Sequence, residues 1–404
     1  MITLTTTASS SPFAEHVPLA FWEQPPRFTR DGSDSLEWHI ARTCDVVLAG
    51  VQKIVPSRKL EALMLGGGYG RGEGGVLKTG TGDRPYNDLE LYVCVRGNRF
   101  FNRWRYEPAL HELAESLSPA AGVEVEFKVI SLDHLRGAPI TMFYYDLVLG
   151  HRWLWGGDEL LHGCEHHREA RAIPLSEATR LLMNRCSGLL FALERLERQP
   201  FTVEDTDFVG RNLAKAQLAF GDAVLTVFGQ YHWSCLERHE RLRRLNVLEC
   251  DPWLADVRRH HSAGVRFKLH PYRTRASLAV LRAQYEELRA LAFSVWLWLE
   301  NRRLGLRFQS ARDYAMSPAN KYSGSNPWRN LLLSLKAFGP AAFFSRAATR
   351  APQERLLNAL ALLLWEPWRS DPQLTWRLQD ELGIRRGTRQ DLTRVYRRLW
   401  AQFN

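Results

Sequence analysis

Asn87-Asp88-Leu89-Glu90-Leu91-Tyr92-Val93 places two carboxylates two residues apart in a short run rich in strand formers. On a strand, residues i and i+2 point to one face, with Cα atoms ~6.6–6.8 Å apart. Asp88 and Glu90 can therefore converge on one hard cation, which takes oxygen ligands and offsets the repulsion between them. A second run, Val123-Glu124-Val125-Glu126-Phe127-Lys128-Val129, repeats the pattern, with Glu124, Glu126 and Lys128 on one face and the apolar residues on the other. Upstream, Gly66-Gly67-Gly68-Tyr69-Gly70-Arg71-Gly72-Glu73-Gly74-Gly75 holds seven glycines in ten residues. Such a backbone reaches positive φ and lets a phosphate approach its N–H groups closely. No Gly-Lys-Ser/Thr closes the run, as a P-loop requires. Nor does a helix follow it directly, as in a dinucleotide-binding turn, because Val76–Tyr86 reads as loop. Singly, an acidic strand is a solvated face and a glycine run is a surface loop. The three together are a far less accidental set.

These groups need a scaffold, and the hydrophobic pattern supplies one. Leu60–Leu65 reads as a strand that runs into the glycines, and Leu89–Val95 and Val123–Ile130 read as two more. Apolar residues at helical spacing over Ser35–Val55, with Asp34 as a cap, predict a helix, and Ala109–Ser118 predicts another. After Ile173 no strand is expected. Helices are expected over Pro174–Leu196, Asp207 to about Arg243, Ala276–Arg303, Pro327–Phe338, Gln353–Trp365, Leu374–Leu382 and Thr388–Gln402. The expected class is α+β: a small α/β head on a large all-helical C-terminal body. The expected divisions are a flexible lead over residues 1–30, a head over 31–160 and a helical domain over 161–404, with a further division near residue 260 as an option.

Taken together, these motifs resemble the nucleotidyltransferase superfamily with the DNA-polymerase-β-like catalytic fold. Gly67-Gly68-Tyr69-Gly70-Arg71-Gly72-Glu73 is similar to the Gly-Ser-Tyr-Ala-Arg-Gly-Glu form of small bacterial nucleotidyltransferase-domain proteins, and Asn87-Asp88-Leu89-Glu90-Leu91 is similar to their Ser-Asp-Ile-Asp-Leu. The resemblance covers residues 60–156, roughly a quarter of the chain. It departs from the family in a longer loop before Asp88 and in a third acid that is Glu, at either 124 or 126. The resemblance implies a Mg²⁺-dependent nucleotidyltransferase that moves a nucleoside monophosphate from an NTP, ATP among them, to a hydroxyl, with release of pyrophosphate. Asp88, Glu90 and Glu126 (or Glu124) would be the catalytic and metal-binding acids of a two-metal site. Gly67, Gly68 and Arg71 would meet the nucleotide. The acceptor is left open among a small molecule, a protein side chain and a nucleotide. The alternative is a catalytically silent nucleotide- or RNA-binding regulatory module on the same fold.

Other residues attract weaker readings. Lys215 stands in a mostly apolar helix of a chain with 8 Lys against 46 Arg, so its charge needs either Asp222 or a triphosphate. Tyr144–Gly156 reads as the segment that packs the head on the helices, with Asp146 outside the chemistry. His162, Cys164, His166 and His167 have metal-like spacing without a second ligand cluster, so a solvated loop is expected, and likewise at His232, Cys235 and His239. The six cysteines include no Cys-x-x-Cys pair, which suggests reduced thiols.

The composition bounds the rest. The 404 residues are 45% hydrophobic with 14 Trp, 19 Phe and 12 Tyr, enough for a substantial core, which excludes a disordered chain. The net charge of +10 is local: residues 301–404 carry 18 basic and 7 acidic side chains, whereas the first 300 nearly balance. Arg385, Arg386, Arg389, Arg394, Arg397 and Arg398 therefore form either a polyanion-binding face, such as one for RNA, or a solvated helix, the reading preferred here. No apolar run reaches the ~20 residues of a spanning helix, and no signal-peptide pattern opens the chain, so the expected setting is cytoplasmic with no membrane partner.

Overall fold

The structure is a computed structural model that describes residues 27–247, 251–322, 324–339, 345 and 347–403. Most of the expected flexible lead, and Cys250, lie outside the described residues. The last residues of that lead are tied down: Glu37 accepts hydrogen bonds from the Phe28 and Thr29 backbone, and Thr29 bridges to Gly74.

Helix α1 (Asp34–Ile54) leads into strand β1 (Leu60–Leu65), the single turn α2 (Gly67–Gly70), the hairpin β2 (Val76–Thr79) and β3 (Gly82–Pro85), and strand β4 (Leu89–Val95). Helix α3 (Arg99–Ala121) then crosses to β5 (Val125–Ile130), and α4 (Leu132–Gly137), α5 (Met142–Leu149) and β6 (Arg152–Trp155) complete the head. The main sheet has the order β5-β4-β1-β6, with β4 and β5 parallel and the other pairs antiparallel. Period-2 alternation gives each face its own core. Leu63, Leu65, Leu91, Val93, Val125 and Val129 pack under α1 and α3. On the opposite face Ala62, Met64, Tyr92 and Cys94 pack with Leu132, Leu135 and Leu147 of α4 and α5.

Three expectations about the head need correction. The segment expected as a loop over 76–86 is a hairpin, because Gly82 at φ +117 closes the turn and Lys78 pairs with Asp83 at 2.8 Å. The α3 helix begins ten residues before its expected start, since its first turns expose their aromatic side chains and show no apolar stripe. The cluster of His162, Cys164, His166 and His167 is no solvated loop. Cys164 and His167 are fully buried, and the imidazole Nε2 atoms of His166 and His167 meet the carbonyls of Ala138 and Leu135.

The body contains α6 (Leu175–Leu196), α7 (Val203–Val227), α8 (Cys235–Arg244), α9 (Asp251–Leu269), α10 (Leu278–Leu304), α11 (Ala311–Met316), α12 (Pro327–Phe338), α13 (Pro352–Trp365), α14 (Pro372–Leu382) and α15 (Arg389–Phe403). It has no strand among the described residues. One continuous core runs through it, centred on α6, α7, α10 and α13. The single helix expected from Asp207 to Arg243 is two, broken where Gly229 takes φ +65 and Ser234 caps α8. Helix α9 runs unbroken through residue 260. Five cysteines are free and buried, and no described helix is long and apolar enough to cross a membrane.

Candidate active site

The parallel pairing of β4 with β5 decides which acids meet. The register sets Glu90 beside Glu126 and Leu89 beside Val125, and Leu89 N–H donates to the Glu124 carbonyl at 2.9 Å. Asp88, Glu90, Glu124 and Glu126 thus lie on one face at the same end of two adjacent strands. Burial, and then the negative charges of Glu124 and Glu90, push the Asp88 carboxyl above its ordinary range, against the pull of Lys215. That mutual repulsion is what a bound cation would offset. Asp88 and Glu124 open onto a cavity of about 630 Å³ that also takes in Tyr86, Arg84 and Arg273.

The glycine turn meets the acids directly. Gly67 opens α2 at φ +61, and a Cβ there would stand 2.6 Å from Glu90 Oε1. Only glycine tolerates both the dihedral and the closeness. Gly66 N–H donates to the Glu90 carbonyl at 2.8 Å, so β4 pulls the turn against the carboxylate. At the first turn of a helix the N–H groups lack intrahelical acceptors, so those of the half-buried Gly67 and the buried Gly68 are free of the helix ladder. The far side of the turn is anchored by Tyr69, fully buried, whose hydroxyl donates to the Gly75 carbonyl and accepts from Tyr86 N–H.

Lys128 shares the acidic face. Its Nζ lies 3.0 Å from Glu126 and 3.9 Å from Glu90, while the Tyr92 hydroxyl donates to Glu90 Oε2 at 2.9 Å. Among the described residues, no three His, Cys, Asp or Glu side chains converge as a ready metal site. The donors are nonetheless carboxylate oxygens, four acids against Lys128 and the more distant Lys215, which suits Mg²⁺.

The remaining candidates divide. Arg71 is turned into the joint between head and body, where it pairs with Asp146 at 3.0 Å. Asp146 also accepts from the Tyr231 hydroxyl at 3.1 Å, so the α5 segment packs head on body as expected. Lys215 does not pair with Asp222, whose carboxylate is held by Arg238 at 2.7 Å and His261 at 3.1 Å. No ion pair holds Lys215 among the described residues. Burial, then Arg185 and Arg211, push its ammonium below the ordinary lysine range, and Asp88 acts the other way. The polar residues of α6 are structural: Asn184 accepts from the Trp400 indole, and the Ser187 hydroxyl meets that of Tyr396 at 2.6 Å. The C-terminal arginines are partly tied down too, Arg389 to Glu197 and Arg397 to Glu194.

The residue that sequence reasoning missed is Glu73. Its carboxylate caps helix α8, accepting from the Cys235 N–H at 2.9 Å and from the Ser234 hydroxyl at 2.5 Å. A glutamate inside a glycine run was a sufficient signal for a special role, but its partners lie more than 160 positions away. No family model matches the chain, and neither a curated protein nor a solved structure matches it.

Proposed function

We propose that this protein is a nucleotidyltransferase with a DNA-polymerase-β-like catalytic head, moving a nucleoside monophosphate from an NTP to a hydroxyl acceptor with release of pyrophosphate. The observation that carries the reading is the contact of the Gly67 backbone with the Glu90 carboxylate, beside Asp88, Glu124 and Glu126 on one face of the sheet. Asp88, Glu90 and one of Glu124 and Glu126 would hold Mg²⁺, which when bound polarises phosphoryl oxygens and favours ionisation of the attacking hydroxyl. Gly67 and Gly68 offer N–H donors to the triphosphate, and Lys215, in range of the Asp88 charge and without a carboxylate partner, balances its charge from the body. Arg71, committed to Asp146, orients the turn rather than the nucleotide.

Pyrophosphate release from each of the four NTPs, with Mg²⁺ and a cell extract as acceptor source, tests this reading. Asp88→Asn removes one ligand charge at an exposed position, so it should abolish release while the protein stays folded. Release at the wild-type rate by that variant would refute the assignment. A second reading, the silent nucleotide-binding module, draws on Lys128, whose ammonium already neutralises part of the acidic face. NTP binding that never yields pyrophosphate would favour it.

A further inference from the structure

The first turns of α3 leave their aromatic surface in water: Phe100, Phe101 and Trp104 are 71, 73 and 78% exposed. Arginines interleave with them, at Arg96, Arg99, Arg103 and Arg105. On a helix, residues four apart stack one above the other. Phe100 and Trp104 therefore form one row, Phe101 and Arg105 a second, and Arg99 and Arg103 a third. The Asn98 side chain, which accepts from the Phe100 and Phe101 N–H groups, fixes where this display begins. The Arg99 guanidinium lies over the Phe100 ring at 5.3 Å, yet three rings exposed on adjacent rows bury little apolar area, and such a patch marks an interaction surface.

The position of the patch gives it meaning. Arg99 and Arg103 line a cleft of about 420 Å³ along the free edge of β5, and the same cleft is bounded by Glu126 and Lys128. Aromatic platform, guanidinium row and acidic face thus lie along one path. Of the four arginines, Arg96 pairs with Glu61 and Arg103 with Glu107, so the patch stays net positive. A lipid surface fits less well. The exposed face continues through Pro108 and His111 to Glu115, with no aliphatic residue to insert and with a carboxylate that anionic headgroups would repel. Rings for stacking, flanked by guanidinium groups for phosphates, are what a single-stranded nucleic acid needs.

We propose that the acceptor is the terminal hydroxyl of a single-stranded nucleic acid, whose bases stack on Phe100, Phe101 and Trp104 and whose phosphates meet Arg99 and Arg103 as its end enters the cleft beside Glu126. This rests on the nucleotidyl-transfer reading above. In the step, the hydroxyl oxygen bonds to the α-phosphorus of the NTP, and the bond from that phosphorus to the bridging oxygen breaks. Pyrophosphate leaves with the electron pair, and the hydroxyl proton passes through a carboxylate to solvent. The strand is placed on α3 rather than on the basic α15 because Arg99 and Arg103 line the cleft that Glu126 bounds.

The test is fluorescence anisotropy of labelled RNA and DNA oligomers of about 20 nucleotides, without Mg²⁺ or NTP, followed by an extension assay with both. The proteins are the wild type, Asp88→Asn and the triple variant Phe100→Ser/Phe101→Ser/Trp104→Ser, with circular dichroism to show that each is folded. The expected result has four parts: wild type and Asp88→Asn bind alike; the affinity falls steeply with salt; the triple variant binds at least about tenfold more weakly; and only the wild type lengthens the strand. A wild type that binds neither oligomer, or a triple variant that binds as the wild type does, overturns the proposal. So does a patch that instead governs binding to phosphatidylserine vesicles. Pyrophosphate release without oligomer binding overturns the acceptor alone, whereas binding without any release overturns the transferase reading with it.

Discussion

Lys215 stands at an exposed position of α7, where partial desolvation and then the like charges of Arg185 and Arg211 disfavour its ammonium and Asp88 acts in its favour. An exposed cation among like charges contributes little to the fold, and the partner it suits is the negative charge of a ligand. Lys215→Ala should therefore leave the thermal midpoint unchanged or raise it. In the same variant the KM for NTP should rise at least about tenfold, since hydrogen bonds to charged groups contribute about 1.5–3 kcal/mol. A fall in the midpoint with an unchanged KM would mean that the lysine is structural. The residue scale was only partly legible in the sequence. The types and spacing put Asp88 with Glu90, and Glu124 with Glu126, on one face of each strand, because the strand period is local; the pairing of β4 with β5 brings the two pairs together. That Asp222 belongs to Arg238 and not to Lys215 was invisible, because α8 supplies the partner.

At the scale of elements, the glycine turn is held from both ends. On one side β4 pulls Gly66 in through the Glu90 carbonyl, and on the other Glu73 caps α8 of the body. Burial pushes the Glu73 carboxyl up, but the hydrogen bonds from Ser234 and Cys235 outweigh it and leave it below its ordinary range. A carboxyl with a depressed folded-state pKa contributes stability that is present above its unfolded pKa and lost as the pH falls through the folded one. Glu73→Gln should thus destabilise the protein at neutral pH by about 1–3 kcal/mol, with the difference closing in acid, as denaturant titrations at several pH values would read out. An unchanged denaturation midpoint at neutral pH would show that the cap does not tie the turn to the body. Most elements could be read from the sequence because their hydrophobic period is local. The hairpin of β2 and β3 could not, since Val76–Pro85 lacks strict alternation and its pairing depends on the turn at Gly82.

Across the whole molecule, one polar chain joins head to body: Arg71 to Asp146, Asp146 to Tyr231, Tyr231 to Arg238, Arg238 to Asp222, and Asp222 to His261. The Arg238 and Asp222 side chains are only 4 and 8% exposed. Truncating one partner of a buried pair leaves the other charge without compensation. Asp222→Ala should cost about 3–5 kcal/mol in urea unfolding and should loosen the seating of Lys215 and the glycine turn across the cleft. A shift below about 1 kcal/mol would mean that water already reaches Arg238 and that the joint is held by its apolar contacts instead.

The division between sequence and tertiary structure follows the range of the interactions. The amino-acid order by itself determined the two acidic strands, the glycine turn upstream of them, the helical body and which acids share a face within each strand, because alternation and helical spacing act over a few residues. Only the tertiary structure decided that Glu73 and Arg71 serve the joint, that Lys128 sits between Glu90 and Glu126, and that Lys215 is left without a carboxylate partner among the described residues. It also decided that Arg99 and Arg103, next to the outward-facing rings of α3, line the cleft that Glu126 bounds. Each of these is a charge or ring whose role depends on what a distant segment brings beside it, and local patterns carry no record of that.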